Sequence, residues 1–543
     1  MTVYAIGVAA MFIIYLVIGN VSGRAVKNVD DYYVAGRNAP TILVVGSLIA
    51  SYLSTVAFMG EVGFSYSGYL LPFMFMYGTC ATGYFVGSKF FGRFIRRAKA
   101  MTIPDYFGTR FRSTRVRVLA GIVTCIGLFC YLVSVTQGTA LLLTNVLGVS
   151  YLVSLIIVWV VFTSFCIFAG SKGILLTETL MFLVFTVMAL ISVPYIMKVS
   201  GGWPDAIINS VLLTEKPGLF DWCGVMSGEF NTMGTPLDIV VWIVTFSLIW
   251  IVVLSISPWQ ASRYLMAKDE HTIFRAGLAA PMCAILVCTL IHFSVTTINA
   301  TDMYIDPVEN AFISTALHYF PVWLGIVVCG GILSAGLSSC ATFTTLIGFS
   351  LANDIIAPIV KRNKGAEYTM SLSTSRICMA IVGLLALIVT YCQPPAVMWI
   401  AYFAATLFAV SWAVIGFGSI WSKKMTEQSA FWSMLTGIGV FVIFQLLITF
   451  AGLTMPAWLP EEFIAFLCSW AVFFIVNAVT KPTAEDEAYL KMLHTPLPNT
   501  YDKKEIKRTL LYPKIMIAFG VLVVVGLIFF YYMPYTEAIA MLH

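Results

Sequence analysis

Apolar runs close to the length of a bilayer-spanning helix recur along almost the whole of this 543-residue chain. A hydrocarbon core about 30 Å thick needs roughly 20 consecutive apolar residues in a helix. Since 60% of the residues are hydrophobic and only 10% are charged, with a mean hydropathy of +0.91, polar surface is too scarce to cover a soluble fold. The sequence therefore predicts an all-α membrane protein.

Fourteen spans are predicted, and the basic residues alternate between the two sides of the membrane. The spans cover roughly residues 3–20, 41–63, 68–88, 118–147, 150–170, 173–197, 238–257, 276–299, 321–350, 375–393, 396–420, 430–453, 462–480 and 512–533. All of the 31 Lys and Arg residues except Lys198 and Lys216 follow odd-numbered spans. Because basic connections face the cytoplasm, we expect a multi-pass plasma-membrane (inner-membrane) protein with both termini on the extracytoplasmic side. The pattern also leaves no Lys or Arg in the middle of a span.

Two spans carry many more oxygen atoms than lipid contact requires. The stretch at 44–69 is interrupted by Ser, Thr and Gly, which indicates a helix broken inside the membrane. The stretch SAGLSSCATFTT at 334–345 carries six hydroxyl groups. A packing seam of small residues, with hydroxyls bonded to their own backbone, is one explanation. A sodium site is the other, because hard cations prefer oxygen ligands.

Carboxylates are nearly absent from the interior of the predicted spans, and two of them stand out. Glu178 follows a short connection and lies in the inner part of the sixth span, and Glu61 lies near the outer end of the second. An ionisable residue in a span is a functional candidate by default, although Glu178 could also lie close enough to the surface to be hydrated. With no basic residue expected nearby, we predict no buried cation to pair an anion and no certain buried anion to pair a cation.

Other functional classes have little support in the sequence. The 5 histidines are scattered without a recurring acid partner, and the 12 cysteines lie without a CxxC pair, which is typical of buried reduced thiols. We therefore expect neither an enzyme nor a nucleic-acid partner. A transporter-like sensor is the least favoured alternative, because no kinase-like segment follows the last span.

Several motifs resemble those of the sodium/solute symporter family, from about residue 30 to about residue 420. The first core helix of that family is similar to SLIASYLSTVAFMG at 47–60, and its eighth core helix is similar to AGLSSCATFTTLIGFSLANDI at 335–355. Further similar stretches are YYVAGRN at 32–38, IPDYFGTRF at 103–111 and SPWQASRYLMAKDE at 257–270. The span count looks like that of the bacterial sodium/galactose branch.

The resemblance implies a LeuT-like fold with five spans repeated in inverted topology, plus one extra N-terminal and three extra C-terminal helices. The expected units are a first helix and cytoplasmic loop, a first repeat, an extracellular loop, a second repeat and a C-terminal set with a cytoplasmic loop. They cover residues 1–40, 41–197, 198–237, 238–420 and 421–543.

The resemblance also implies an ion site. Na⁺, as the co-transported ion, would be bound by the carbonyl oxygens of Ala50, Leu53 and Ala335 and by the hydroxyls of Ser338 and Ser339. A second ion site, present in some members, would fall on Glu178 and Thr342. Because Ala341 stands where that site uses a further hydroxyl, the family pattern is incomplete there.

The implied solute site is less well matched. Candidate lining residues are Ser54, Tyr69, Phe73, Gln137, Trp242, Phe246 and Trp250. Ala57 replaces a polar sugar-binding residue, and the span holding Gln137 lacks the arginine of sialic acid transporters. We therefore predict a sodium-coupled symporter importing a small organic solute, such as a monocarboxylate or an amino acid, as a functional monomer in the lipid bilayer. Proton coupling through Glu178 and sodium/sugar symport remain as alternatives.

Overall fold

The computed structural model describes residues 2–23, 29–364, 372–392, 396–456 and 458–542. The only β-bridge in these ranges joins Ala39 to Ala267. The principal helices are α1 (Thr2–Gly23), α2 (Thr41–Ala50), α3 (Leu70–Cys80), α4 (Thr114–Leu147), α5 (Tyr151–Val199), α6 (Pro236–Ile256), α7 (Pro258–Met266), α8 (Glu270–Thr296), α9 (Val322–Phe349), α10 (Leu372–Cys392), α11 (Val397–Trp421), α12 (Glu427–Ala451), α13 (Glu461–Val479) and α14 (Leu511–Leu527).

Shorter helical segments connect or extend these helices. They are Val29–Val34, Ala35–Arg37, Val56–Glu61, Val62–Phe64, Ser65–Tyr69, Thr82–Gly87, Ser88–Gly92, Arg93–Ala98, Ile103–Phe111, Asp205–Val211, Thr297–Ala300, Val308–Asn310, Ala311–Tyr319, Ser350–Ile356, Ala357–Lys364, Ala484–His494, Pro498–Tyr501, Lys503–Thr509, Ile528–Tyr532 and Met533–Leu542.

The predicted spans correspond to helices of the structure. In the described ranges, 10 helices are long and apolar enough to cross a bilayer. Three more predicted spans coincide with the shorter apolar helices Val3–Ile18, Thr41–Ala50 and Tyr151–Ile167. The remaining one, predicted at 68–88, falls on α3 and its continuation Thr82–Gly87.

The fifth and sixth predicted spans form one helical run, α5, that is bent at Gly170. This glycine has φ 58° and ψ 177°, a conformation that is accessible to residues without a Cβ. The bend separates the stretch 151–169 from the stretch 170–199, so that Glu178 lies two turns into the second stretch.

Helix α9 occupies the centre of the bundle. Helix α9 belongs to the span Val322–Val360, in which 89% of an apolar 18-residue stretch is buried. In the span Lys503–Leu542, 0% of the corresponding stretch is buried. Helix α9 packs mainly against α4 and α5. Its hydroxyl groups therefore face other helices rather than lipid, and α12 to α14 lie at the periphery.

Candidate sodium and solute site

The second predicted span is broken within its Ser- and Gly-rich stretch, as the sequence indicates. Helix α2 ends at Ala50, residues 51–54 are non-helical, and helical structure resumes at Thr55. A helix end leaves carbonyl oxygens without intrahelical donors. The Leu48 carbonyl accepts from Ser51 Oγ at 3.1 Å and from Gln260 Nε2 at 3.4 Å. The break therefore exposes backbone oxygens to partners inside the protein.

Hydroxyl groups of α9 meet this break. Ser338 Oγ lies 2.8 Å from the Ala50 carbonyl oxygen and 2.9 Å from the Ala335 carbonyl oxygen. Ser339 Oγ lies 3.4 Å from the same Ala50 oxygen. The structure thus brings together four of the five residues predicted for the sodium site. The fifth, Leu53, is fully buried within the break itself.

The chemistry of this oxygen set suits a sodium ion as cargo. Buried carbonyl and hydroxyl oxygens are hard, neutral ligands. Carbonyls of an unwound transmembrane helix are a known means of coordinating Na⁺ in transporters. Ser338 and Ser339 are 1% and 0% exposed, so an ion held between α2 and α9 would exchange its hydration shell for protein oxygens.

Both residues predicted for a second ion site contact a cation of the protein itself. Arg263 Nη2 lies 2.7 and 2.8 Å from the two carboxylate oxygens of Glu178 and 2.8 Å from Thr342 Oγ1. Arg263 Nε donates to Ser47 Oγ at 2.9 Å. Both Ser47 and Thr342 also donate to Glu178. The guanidinium therefore satisfies the carboxylate from within the chain.

Arg263 lies beyond the predicted span 238–257, as the sequence indicated, yet its side chain is buried. The residue belongs to the short helix α7, which follows α6 inside the apolar span Pro236–Met266, and it is 2% exposed. The expectation of no buried cation to pair an anion is wrong, because Arg263 and Glu178 are both buried and form an ion pair. An arginine is tolerated here because Glu178, 85 residues earlier in the chain, faces it.

Three of the predicted solute residues form an aromatic row on α6. The ring centroids of Trp242 and Phe246 are 4.9 Å apart, and those of Phe246 and Trp250 are 6.2 Å apart. Phe246 also stacks on Tyr402 of α11 at 4.3 Å. This row connects to the helix break, because Tyr52 lies edge-on to Trp250 at 5.4 Å.

The other four predicted solute residues are divided among different surroundings. Ser54 accepts from the Val56 amide at 3.1 Å, which begins the second half of the broken span. Phe73 of α3 stacks on His292 of α8 at 4.5 Å. The Gln137 amide oxygen accepts from Ala396 N at 3.3 Å.

Tyr69 is attached to the loop that precedes α6. Its hydroxyl accepts from the backbone amides of Thr232 at 2.7 Å and Met233 at 3.1 Å. Among the seven, it is therefore the residue most clearly tied to the loop between α5 and α6.

Two residues close to the helix break, Glu61 and Tyr52, were given no role from the sequence. Glu61 is 4% exposed, and its Oε2 atom has no hydrogen-bond partner in the described chain. Tyr52 lies in the break between two predicted sodium ligands and contacts the aromatic row. The signal for Glu61 was present, since a carboxylate in a span is costly, but its surroundings depend on helices distant in sequence.

A membrane bundle in which a broken helix faces a hydroxyl-bearing helix near the centre is the arrangement of a secondary transporter. The Sodium:solute symporter family model matches residues 32–437. This chain belongs to the sodium:solute symporter family. Its co-transported ion is sodium, and the proteins of this family are transporters rather than enzymes.

Several named transporters align with this chain over most of their length. The high-affinity proline transporter PutP of Bacillus subtilis (strain 168) is 21% identical over 87% of this chain and 97% of its own length. The sodium/glucose cotransporter of Vibrio parahaemolyticus is 23% identical over 84% of this chain and 86% of its own length. The sodium/pantothenate symporter of Haemophilus influenzae is 22% identical over 76% and 84%.

Solved structures agree with the fold. A Na⁺-coupled sialic acid symporter in a substrate-bound outward-open state superposes with a TM-score of 0.70 at 16% identity, covering 88% of this chain and 98% of that chain. The nucleobase-cation symporter MHP1 superposes with a TM-score of 0.54 at 12% identity, covering 86% and 99%. The predicted all-α, LeuT-like membrane fold is therefore confirmed.

Proposed function

We propose that this symporter imports a small organic solute with sodium by alternating access, and that sodium binds between the broken helix and α9. The ligands are the carbonyl oxygens of Ala50, Leu53 and Ala335 and the hydroxyls of Ser338 and Ser339. The observation that carries the proposal is the 2.8 Å contact between Ser338 Oγ and the Ala50 carbonyl oxygen.

Sodium binding at this place would couple to solute binding through the break. An ion would replace the hydrogen bonds from Ser338 and Ser339 to Ala50 with ion–oxygen contacts, which fixes residues 51–54 against α9. Tyr52 and Ser54 belong to the same four-residue break, and Tyr52 contacts the aromatic row. The bound ion therefore sets the geometry of the solute-facing side chains, so each ligand favours the binding of the other.

We assign the Glu178–Arg263 pair to holding helices together rather than to binding a second ion or carrying a proton. The pair connects α5 to α7, and its hydroxyl partners Ser47 and Thr342 belong to α2 and α9. In the observed geometry the Arg263 guanidinium occupies both Glu178 carboxylate oxygens. A second cation would need these same oxygens as ligands. This supports sodium at the other site as the driving ion.

We propose the following arrangement for the whole chain. The family resemblance supports inverted repeats at 41–197 and 238–420, with the units 1–40, 198–237 and 421–543 around them. The alternation of basic residues supports a plasma-membrane location with both termini on the extracytoplasmic side. A single copy contains the complete ion site, which supports a functional monomer.

We propose that the solute site lies next to the break at residues 51–54, among aromatic and amide side chains. Relatives of this chain are named as transporters of proline, glucose and pantothenate, which supports a small organic solute, with monocarboxylates and amino acids as candidates. The lining residues we propose are Ser54, Tyr69, Phe73, Gln137, Trp242, Phe246 and Trp250.

Sodium-dependent thermal stability of the purified protein tests the ion site without knowledge of the solute. We expect NaCl, but not KCl, to raise the melting temperature, because an ion that binds only the folded state stabilises it. Ser338→Ala and Ser339→Ala should each shift the sodium dependence to at least about tenfold higher concentration, equivalent to about 1.4 kcal/mol.

Ser334→Ala is the matched control. Ser334 is a buried hydroxyl on the same helix, but it donates to the Gly330 carbonyl at 2.6 Å and contacts Tyr15. It should keep the wild-type sodium dependence. Identical melting of the wild type in NaCl and KCl would contradict the proposed site.

A further inference from the structure

Glu61 is a buried carboxylate for which the described chain provides no counter-charge. It lies in the segment Val56–Glu61, four residues beyond Ala57, on the outer side of the helix break. None of the ion pairs between described residues includes it, and its Oε2 atom has no hydrogen-bond partner among them. A carboxyl group in this setting costs free energy unless a partner arrives.

The surroundings of Glu61 are aromatic. The ring centroids of Tyr52 and Tyr77 are 5.8 Å apart, and those of Tyr52 and Trp250 are 5.4 Å apart. Tyr131 completes the group, 6.3 Å from Trp250. Glu61 lies one helical turn before Ser65, whose hydroxyl bonds to His292 at 2.8 Å. His292 stacks on Phe73, which lies 5.7 Å from Tyr77, so the carboxyl group is on the side of the broken span that faces these rings.

Polar hydrogen-bonding groups at the edge of the same cluster are also unused. Trp250 Nε1 and His292 Nε2 are buried without a hydrogen-bond partner. The other ring nitrogen of His292 bonds to Ser65 Oγ at 2.8 Å, and Ser65 lies one turn beyond Glu61. The cluster thus offers a carboxylate and aromatic faces, with a free indole N–H to donate to an oxygen of a ligand.

We propose that the imported solute carries a positively charged amine and that Glu61 is its counter-ion. This rests on the proposed function above and narrows the solute to ammonium-bearing compounds such as amino acids and amino alcohols. A cation gains from both features, because it pairs with the carboxylate and is attracted by the faces of Tyr and Trp rings. A monocarboxylate without an amine would place its negative charge beside Glu61 and is disfavoured.

This site is adjacent to the sodium site in the chain. Tyr52 stands between Ala50 and Leu53, and its ring forms part of the cluster around Glu61. Ordering of the break by sodium would therefore also order one wall of the amine site, which explains why the two ligands would be carried together.

Matched pairs of small molecules test the proposal. Each pair consists of an amine and an isostere in which a carbon group replaces the ammonium group. The amines are proline, alanine, choline and ethanolamine, and their isosteres are cyclopentanecarboxylate, isobutyrate, dimethylbutanol and propanol. Thermal shift and Trp fluorescence of the purified full-length protein are measured in NaCl, with KCl as the sodium-free buffer. We expect at least one amine to stabilise the protein in NaCl while its isostere does not.

Variants at Glu61 locate the effect. Glu61→Gln should weaken binding of that amine at least about tenfold, whereas Glu61→Asp, which keeps the charge, should retain part of the affinity. Both variants should keep the stabilisation by NaCl without solute, which shows that they are folded. Glu229→Gln, at an exposed loop position, is the matched control and should bind as the wild type does.

The outcomes distinguish this proposal from the sodium site. Binding of an isostere as tight as its amine, absence of binding by all four amines, or unchanged amine affinity in Glu61→Gln would overturn the amine assignment while NaCl still stabilises the protein. Binding of an uncharged solute that depends on pH in the wild type and no longer depends on pH in Glu61→Gln would also overturn it and make Glu61 a proton carrier. If NaCl fails to stabilise the wild type but an amine still depends on Glu61, the sodium site fails and the amine assignment stands.

Discussion

Two buried residues of opposite charge, Arg263 and Glu178, form an ion pair next to the proposed ion site. Arg263 and Glu178 have side chains that are only 3% and 1% exposed, so both have lost most of their hydration. Such a pair is costly to form, but it is far more costly to leave one member unpaired. Ser47 and Thr342 share the carboxylate, which adds hydrogen bonds that compensate for the lost water.

Removing one member of this pair should destabilise the protein more than removing both. We expect Glu178→Gln and Arg263→Met each to lower the free energy of unfolding by about 3–5 kcal/mol, because the remaining group is buried without its partner. The double variant Glu178→Met with Arg263→Met should recover much of this loss. Thermal unfolding of the four proteins forms a double-mutant cycle, and additive losses would contradict the assignment.

At the scale of helices, α9 packs closely against α4 beside the proposed ion site. Gly336 lies on α9, and a Cβ at this position would fall 2.9 Å from Thr55 Cγ2 and closer still to the Thr139 hydroxyl. Thr55 is the first helical residue after the break. A glycine is therefore required where α9, α4 and the broken span approach one another.

Enlarging Gly336 should push α9 away from the break. We expect Gly336→Ala to destabilise the protein by about 1–3 kcal/mol, as overpacking does, and to weaken the sodium-dependent thermal shift. Gly439→Ala on α12 is the matched control, because a Cβ there meets nothing within 4 Å. Adding Thr139→Ala should restore part of the sodium response of Gly336→Ala. Equal effects of the two glycine variants would show that the close approach is unimportant.

The sequence predicts elements better than it predicts partners between them. Apolar runs indicate the helices, and the Ser and Gly residues at 46–63 indicate the break, because both signals are local. The position of Arg263 could not be predicted in this way. A basic residue after an apolar run suggests a cytoplasmic connection. Only the packing of α7 against α5 shows that Arg263 forms an ion pair with Glu178. Glu61 is similar, since its aromatic neighbours come from three other parts of the chain.

For the whole molecule, the charge carried in one transport cycle follows from the site. One sodium ion carried with a zwitterionic solute moves one positive charge across the membrane. A charge moving through about 100 mV gains roughly 2.3 kcal/mol. Because about 1.4 kcal/mol corresponds to a factor of ten, this potential alone supports roughly 50-fold accumulation of the solute. A singly charged organic cation would add a second charge and a further factor of similar size.

Voltage should therefore drive uptake even without a sodium gradient. In proteoliposomes with equal sodium on both sides, a potential of about 100 mV, negative inside, should raise the steady-state accumulation of a zwitterionic solute toward about 50-fold. The amine that stabilises the purified protein would be the labelled solute, and a potassium gradient with valinomycin would set the potential. Ser338→Ala should transport less at the same sodium concentration because its ion site lacks one ligand. Accumulation that does not change with voltage would show that the cycle is electroneutral, with a counter-ion leaving as sodium enters.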